Sequence, residues 1–134
     1  MTNSMHEASV GVFVPFLKNL SALLDQAARY ADQRKIDSAV LLNARLYPNM
    51  YSLARQVGEA NRHAVVGCAL LAGCEPLASA DNEPDLPELK SRIAATAGFI
   101  EGLPRAAIEE AADRPVVSPF ATGRSEALPG GRCC

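Results

Sequence analysis

Three stripes of apolar residues constrain the fold of this chain more than any other feature. Apolar side chains recur every three or four positions, a spacing that collects them on one face of an α-helix. The first stripe holds Phe13, Phe16, Leu17, Leu20, Leu23, Leu24, Ala27, Tyr30 and Ala31; the second holds Met50, Leu53, Ala54, Val57, Ala60, Ala64, Cys68 and Leu71; the third holds Leu86, Leu89, Ile93, Ala97, Ile100 and Leu103. Each stripe must be buried against another, so the pattern predicts an all-α, up-down bundle of three long helices.

Capping residues and helix breakers set the expected helix ends. Ser4 and Glu7 form a capping box at the start of the first helix, which should run to about Arg34. Pro15 lacks an amide hydrogen, so it either kinks the first turns of this helix or marks a later start. Pro48 suits the first turn of the second helix. We expect the second helix to end at Gly73, and the third to begin at a capping box of Asp85 and Glu88. Asp37 should cap a helical turn over 38–42. Residues 106–112 should form a further turn, and Val116-Val117 a short extended piece.

The last fourteen residues differ in character from the rest of the chain. Residues 121–134 show no hydrophobic period and contain three glycines and a proline. Such composition is typical of irregular, poorly ordered chain ends. We therefore expect a helical bundle domain over residues 1–120 and a disordered C-terminal tail over 121–134.

Charge and hydropathy exclude several classes of partner. The formal net charge is −2, and no cluster of Lys and Arg provides the basic surface that nucleic-acid binding requires. The apolar run near Val10 is too short and too interrupted to cross a bilayer, and no basic segment precedes it as in a signal peptide. We expect no nucleic-acid or membrane partner and a cytoplasmic location. The four cysteines lack the spacing of a disulfide-rich domain or a zinc site, so we expect reduced thiols.

Several segments together resemble a known family. They are residues 5–10 (Met-His-Glu-Ala-Ser-Val), 17–24, 41–50 (Leu-Leu-Asn-Ala-Arg-Leu-Tyr-Pro-Asn-Met), 55–57, 70–76 and 100–104. The set resembles an uncharacterised, domain-of-unknown-function branch of the DinB-like helical-bundle superfamily, over about residues 5–120. The resemblance implies a four-helix bundle, and this chain looks truncated, with its fourth helix lacking or replaced.

The same resemblance raises the question of a metal site. The superfamily is known for a three-histidine site with two ligands on the last helix. This chain has only His6 and His63, so one copy cannot supply three imidazoles. Glu59 lies one turn before His63, but such a pair is more often a solvated contact than a metal site. We predict no metal site, no cofactor and no catalytic residues.

Asn43 and Arg45 are the polar residues most suited to binding. A guanidinium in a loop beside a helix start can hold a carboxylate with its planar fork. The structural alternative is that Arg45 ties the loop to carbonyl groups or to a carboxylate such as Glu75.

Two classes of function remain open. We favour a non-catalytic module that dimerises or binds an unknown small ligand. The alternative is a DinB-like metal-dependent transferase or its inactive remnant. A helix-turn-helix DNA binder is disfavoured, because basic residues are missing from the start of the second helix. If the three stripes are shaped to pack against a fourth helix, an open apolar strip should remain and favour a homodimer.

Overall fold

The computed structural model describes residues 4–78 and 84–115, and every element in these ranges is helical. The elements are α1 (Met5–Ala8), α2 (Val10–Arg34), α3 (Ser38–Leu42), α4 (Leu53–Ala72), α5 (Leu86–Glu101) and α6 (Arg105–Glu110), followed by a 3-10 turn at Ala111–Asp113. The all-α prediction and its three long helices, now α2, α4 and α5, are confirmed. The expected tail and the extended piece at Val116-Val117 lie outside the described residues.

α5 lies between the other two long helices and packs against both of them, whereas α2 and α4 contact each other little. Two ion pairs join α2 to α5: Lys18 with Glu101, at 3.6 Å, and Asp25 with Lys90. Because the earlier residue of α2 pairs with the later residue of α5, these two helices run antiparallel.

The core is formed by apolar residues from all three stripes. The side chains that are almost completely buried are Leu24, Val57, Cys68, Leu89, Ile93, Ile100 and Ile108. At roughly 25 cal/mol per Å2 of buried apolar surface, these side chains are the main favourable contribution to folding. The short helix α6 contributes Ile108 and packs against α4.

Most predicted helix ends are correct. Ser4, Asp37 and Asp85 each accept a hydrogen bond from a backbone N–H in the first turn of the helix that follows. Gly73 ends α4 in the left-handed conformation, with φ of 71°. The predicted turn over 106–112 corresponds to α6 and the 3-10 turn.

Two predicted helix starts, at Pro48 and at Pro15, differ from the structure. α4 begins at Leu53 rather than at Pro48, because the Ser52 side chain accepts a hydrogen bond from the Arg55 N–H and caps the helix there. Pro48 instead lies in a turn closed by a hydrogen bond from the Met50 N–H to the Tyr47 carbonyl. Pro15 does not begin a helix, since α2 already starts at Val10; the proline sits in its second turn.

The N-terminal turn is held by a residue far away in sequence. The Glu109 carboxylate of α6 accepts hydrogen bonds from the backbone amides of Met5, at 3.1 Å, and His6, at 3.2 Å. These amides are unpaired at the start of α1, so a carboxylate there also interacts favourably with the helix dipole. The contact joins two segments 104 residues apart.

The stretch Met5–Arg34 is long and apolar enough to cross a membrane by length and composition alone. A core helix of a soluble bundle passes the same test, and α2 buries Val10, Val14, Leu17, Leu24 and Ala31 against its neighbours.

Candidate functional site

The segment between α3 and α4, residues 43–52, forms a closed loop that we call the α3–α4 loop. A hydrogen bond from the Leu53 N–H to the Ala44 carbonyl, at 3.0 Å, closes its base. The turn at Pro48 folds its tip back on itself. The loop is therefore an ordered structure although it contains no helix.

Arg45 ties the two arms of this loop together. Its Nη1 atom donates a hydrogen bond of 2.9 Å to the Met50 carbonyl. Asn43 ends α3 and donates from Nδ2 to the Ala39 carbonyl, also at 2.9 Å. Both predicted binding residues are exposed and hold local structure, and Arg45 does so through a carbonyl rather than through Glu75. Their role in binding stays a prediction.

Tyr51 and Arg55 form a second ordered pair that the sequence analysis did not identify. The Arg55 guanidinium lies 4.0 Å from the centroid of the Tyr51 ring, within the range of a cation–π contact. Gln56 Nε2 donates to the Tyr51 carbonyl at 3.0 Å and fixes the backbone below the ring. The four-residue spacing between Tyr51 and Arg55, across the start of α4, is the sequence signal that could have indicated this pair.

The surface of the loop combines apolar side chains with positive charge. Leu46 is 88 % exposed and Tyr47 is 64 % exposed, and Met50 and Tyr51 are exposed as well. Residues 38–58 contain Arg45 and Arg55 but no acidic residue. Within the part of the chain that the structure describes, neither guanidinium forms an ion pair. The loop thus presents apolar contacts beside two cations that lack a carboxylate.

Comparison with known proteins places the chain in a family. The sequence matches the profile of a domain of unknown function, DUF1993, over residues 5–131. The chain belongs to the DUF1993 family. It is also similar to a crystal structure of a DinB family member protein from Shewanella denitrificans, with 36 % sequence identity, a TM-score of 0.80, and coverage of 89 % of this chain and 68 % of that one. No curated protein matches the sequence.

The predicted resemblance to an uncharacterised DinB-like family is therefore confirmed, and the DUF1993 chain has a DinB-like helical fold. In the described residues, no group of three His, Cys, Asp or Glu side chains is placed to hold a metal ion. His63 Nε2 lies 3.9 Å from the Glu59 carboxylate, as the one-turn spacing suggests. A site with this pair as ligands would need further donors.

Two cysteines of the DUF1993 chain have distinct states. Cys68 is fully buried in the core, and burial raises the pKa of its thiol to about 11. It is a small core residue rather than a nucleophile. Cys74 is disulfide-bonded, so the prediction that all four thiols are reduced is wrong for this residue.

One buried polar side chain has no partner. Asn61 is 8 % exposed on the buried face of α4, and neither its amide nitrogen nor its amide oxygen makes a hydrogen bond. An unpaired buried amide costs about 1–3 kcal/mol. Because it is sealed inside the bundle, we assign it no part in the exposed α3–α4 loop.

Proposed function

We propose that this DUF1993 chain is a non-catalytic binding module that holds a small carboxylate ligand with an apolar tail on the α3–α4 loop. The observation that carries the proposal is the surface of the loop, which exposes Leu46 and Tyr47, carries Arg45, and meets Arg55 of α4 through the Tyr51 ring. A guanidinium binds a carboxylate through parallel N–H donors, and such charged hydrogen bonds contribute about 1.5–3 kcal/mol each.

The fixed geometry of the loop supports binding rather than a passive surface. Arg45, the Ala44–Leu53 hydrogen bond and the Tyr51–Arg55 stack already order the backbone and one aromatic ring. A ligand then loses less affinity to the ordering of the loop. Tyr, Arg and Met are also enriched in binding interfaces of proteins.

The test is a titration with a matched pair of probes, N-acetyl-leucine and its amide, followed by ¹H–¹⁵N NMR. The acid should cause saturable shifts at residues 43–56 and bind about tenfold more tightly than the amide, because only the acid pairs with a guanidinium. Equal affinities, or shifts elsewhere on the chain, would refute the proposal.

Variants separate binding from the structure of the loop. Arg45→Gln removes both a cation and the tie to Met50, whereas Arg55→Gln removes a cation and leaves that tie intact. Each should weaken binding of the acid about fivefold to tenfold. Arg29→Gln, at an exposed position of α2, is the matched control and should leave affinity unchanged.

A DinB-like metal-dependent transferase is the alternative function, motivated by the DinB family member among the similar structures. Metal content separates the two functions. Elemental analysis of the full chain, purified without added metal, should find no stoichiometric divalent ion under our proposal. One equivalent of zinc, nickel or manganese per chain would favour the alternative.

A cytoplasmic location forms part of the proposal. The DinB-like helical bundle supports it. Cell fractionation tests the location: recovery of the protein in the soluble cytoplasmic fraction agrees with the proposal, and recovery in an envelope or secreted fraction contradicts it.

A further inference from the structure

One end of the bundle, where α2 meets α3 and α4 begins, carries more positive than negative charge. Residues 32–58 contain four basic and two acidic side chains. The basic residues are Arg34, Lys35, Arg45 and Arg55; all four are exposed, and we call this set the basic end. In the ranges that the structure describes, none of the four forms an ion pair.

Three carboxylates at this end of the bundle have local partners. Asp37 caps α3 by accepting a hydrogen bond of 3.0 Å from the Ala39 N–H. Because α5 runs antiparallel to α2, its first residues lie at the same end. There Asp85 caps α5 by accepting from the Glu88 N–H, and the Glu88 carboxylate pairs with Arg92 at 2.7 Å. The basic end is therefore suited to carboxylates of another molecule.

Lys35 occupies a position where glycine is the usual residue. It ends α2 with a φ of 54°, in the left-handed region, and its side chain costs stability that a glycine would not. A cation near the C-terminus of a helix is favourable, but Arg34 already supplies one. The helix dipole thus does not account for the second cation, whereas a charged partner does.

Exposed apolar side chains lie among the cations. Val40, Leu46 and Tyr47 are 61 %, 88 % and 64 % exposed, respectively. Nucleic-acid binding requires an unbroken basic surface along the phosphates, and aliphatic side chains gain little from such a chain. A peptide offers both carboxylates for the cations and apolar side chains for Val40 and Leu46.

We propose that the carboxylate ligand of the α3–α4 loop is an acidic segment of a partner protein, in which carboxylates alternate with apolar side chains, and that its contact extends from the loop to Lys35. The inference rests on the proposed function, because it names the ligand of the same loop. An extended peptide of six residues spans about 20 Å, more than the roughly 8 Å of α3 that separates Lys35 from the loop.

The test uses two peptides of six residues, acetylated and amidated at their ends. The first alternates glutamate and leucine, and the second has glutamine in place of glutamate. Calorimetric titration of the full chain in about 50 mM salt should show that the acidic peptide binds about 30-fold more tightly, because three ion pairs form. The ratio should fall towards one in about 500 mM salt, where such pairs are screened. Equal affinities at low salt would overturn the proposal.

Variants test the extension of the contact to Lys35. Lys35→Gly should weaken the acidic peptide about threefold and leave the affinity for N-acetyl-leucine unchanged. The same variant should raise the melting temperature, because it relieves the left-handed conformation. Lys18→Gln is the matched control, since it removes the same charge about 25 Å away along α2 and should not change peptide binding. A more stable Lys35→Gly variant with unchanged affinity for the acidic peptide would contradict the assignment.

The inference and the proposed function fail in different ways. If N-acetyl-leucine binds more tightly than its amide but the two peptides bind equally, the acidic segment is refuted and the small carboxylate ligand stands. If the two small probes bind equally and the acidic peptide is still preferred, the small ligand is refuted and the acidic segment stands.

Other classes of partner give separate results. Single-stranded oligothymidylate or phosphatidylglycerol vesicles should bind the chain more weakly than the acidic peptide does. Tighter binding of either one would overturn the proposal, because it would identify a phosphate chain or a lipid surface as the partner of the basic end.

Discussion

Glu109 links the two ends of the described chain through a single carboxylate. Desolvation raises the pKa of the Glu109 carboxyl. The opposing contributions are larger, so the net pKa lies below the usual value; they come from the backbone amide of His6, the hydroxyl of Ser4, the backbone amide of Met5 and the charge of Arg105. The folded state therefore favours the ionised form. This stabilisation is fully present above the unfolded pKa of 4.5 and is lost as the pH falls through the lower, folded value.

The Glu109→Gln variant should lose most of this acid dependence. The stabilities of the wild type and the variant should converge as the pH falls through the lowered pKa of Glu109, and above about pH 5 the wild type should be more stable. Urea unfolding from pH 3 to 7 measures both. Glu110→Gln, at the exposed neighbouring position, is the control, and an identical pH profile in the two variants would contradict the assigned hydrogen bonds.

Asn61 presents the opposite situation, a polar group without partners. Asn61→Leu keeps the branching of the side chain and removes the unsatisfied amide, so it should stabilise the bundle by about 1 kcal/mol. Chemical denaturation at neutral pH measures the change. A destabilisation of more than about 1 kcal/mol would mean that the amide makes hydrogen bonds in solution.

At the scale of elements, the end of α4 depends on the conformation of Gly73. Its φ of 71° favours glycine, and a Cβ atom added there would lie 3.1 Å from Arg114 Nη1. That guanidinium donates to the carbonyls of Leu70 and Leu71, at 3.2 and 2.5 Å, in the last turn of α4, where the Leu70 carbonyl also accepts from the Gly73 N–H. Arg114 thus closes the last turn of α4.

Paired glycine substitutions should change stability in opposite directions. Gly73→Ala should destabilise the protein by about 1 kcal/mol or more through strain and displacement of Arg114. Gly58→Ala, in the middle of α4 with no atom within 4 Å of the added Cβ, should stabilise it by up to about 1 kcal/mol. Thermal unfolding of both variants checks this; equal effects would contradict the helix-end assignment.

The elements were predictable where the signal is local. The stripes and the caps at Ser4, Asp37, Gly73 and Asp85 determine most helix ends, because each cap acts within one turn. Pro48 misled the prediction because a proline suits a turn as well as a first helical turn. The carbonyl bound by Arg45 and the amides bound by Glu109 depend on the folded chain, so no sequence pattern could reveal them.

At the scale of the whole molecule, the α3–α4 loop and the exposed face of α2 have different surface chemistry. The loop carries positive charge beside apolar side chains, whereas the exposed face of α2 carries Val12, Phe16, Leu23 and Tyr30 and reaches its first charge at Arg34, which stacks on the Tyr30 ring. Our proposal assigns the loop to a carboxylate ligand. That assignment does not require the imidazoles that a DinB-type metal site would need.

The most direct test of the binding function is the ratio of the affinities of the wild-type chain for N-acetyl-leucine and for its amide. The two probes share the same tail and differ in one charge, so the ratio isolates the contribution of Arg45 and Arg55. We predict that the acid binds about tenfold more tightly, with shifts confined to residues 43–56. A ratio of one would contradict the account.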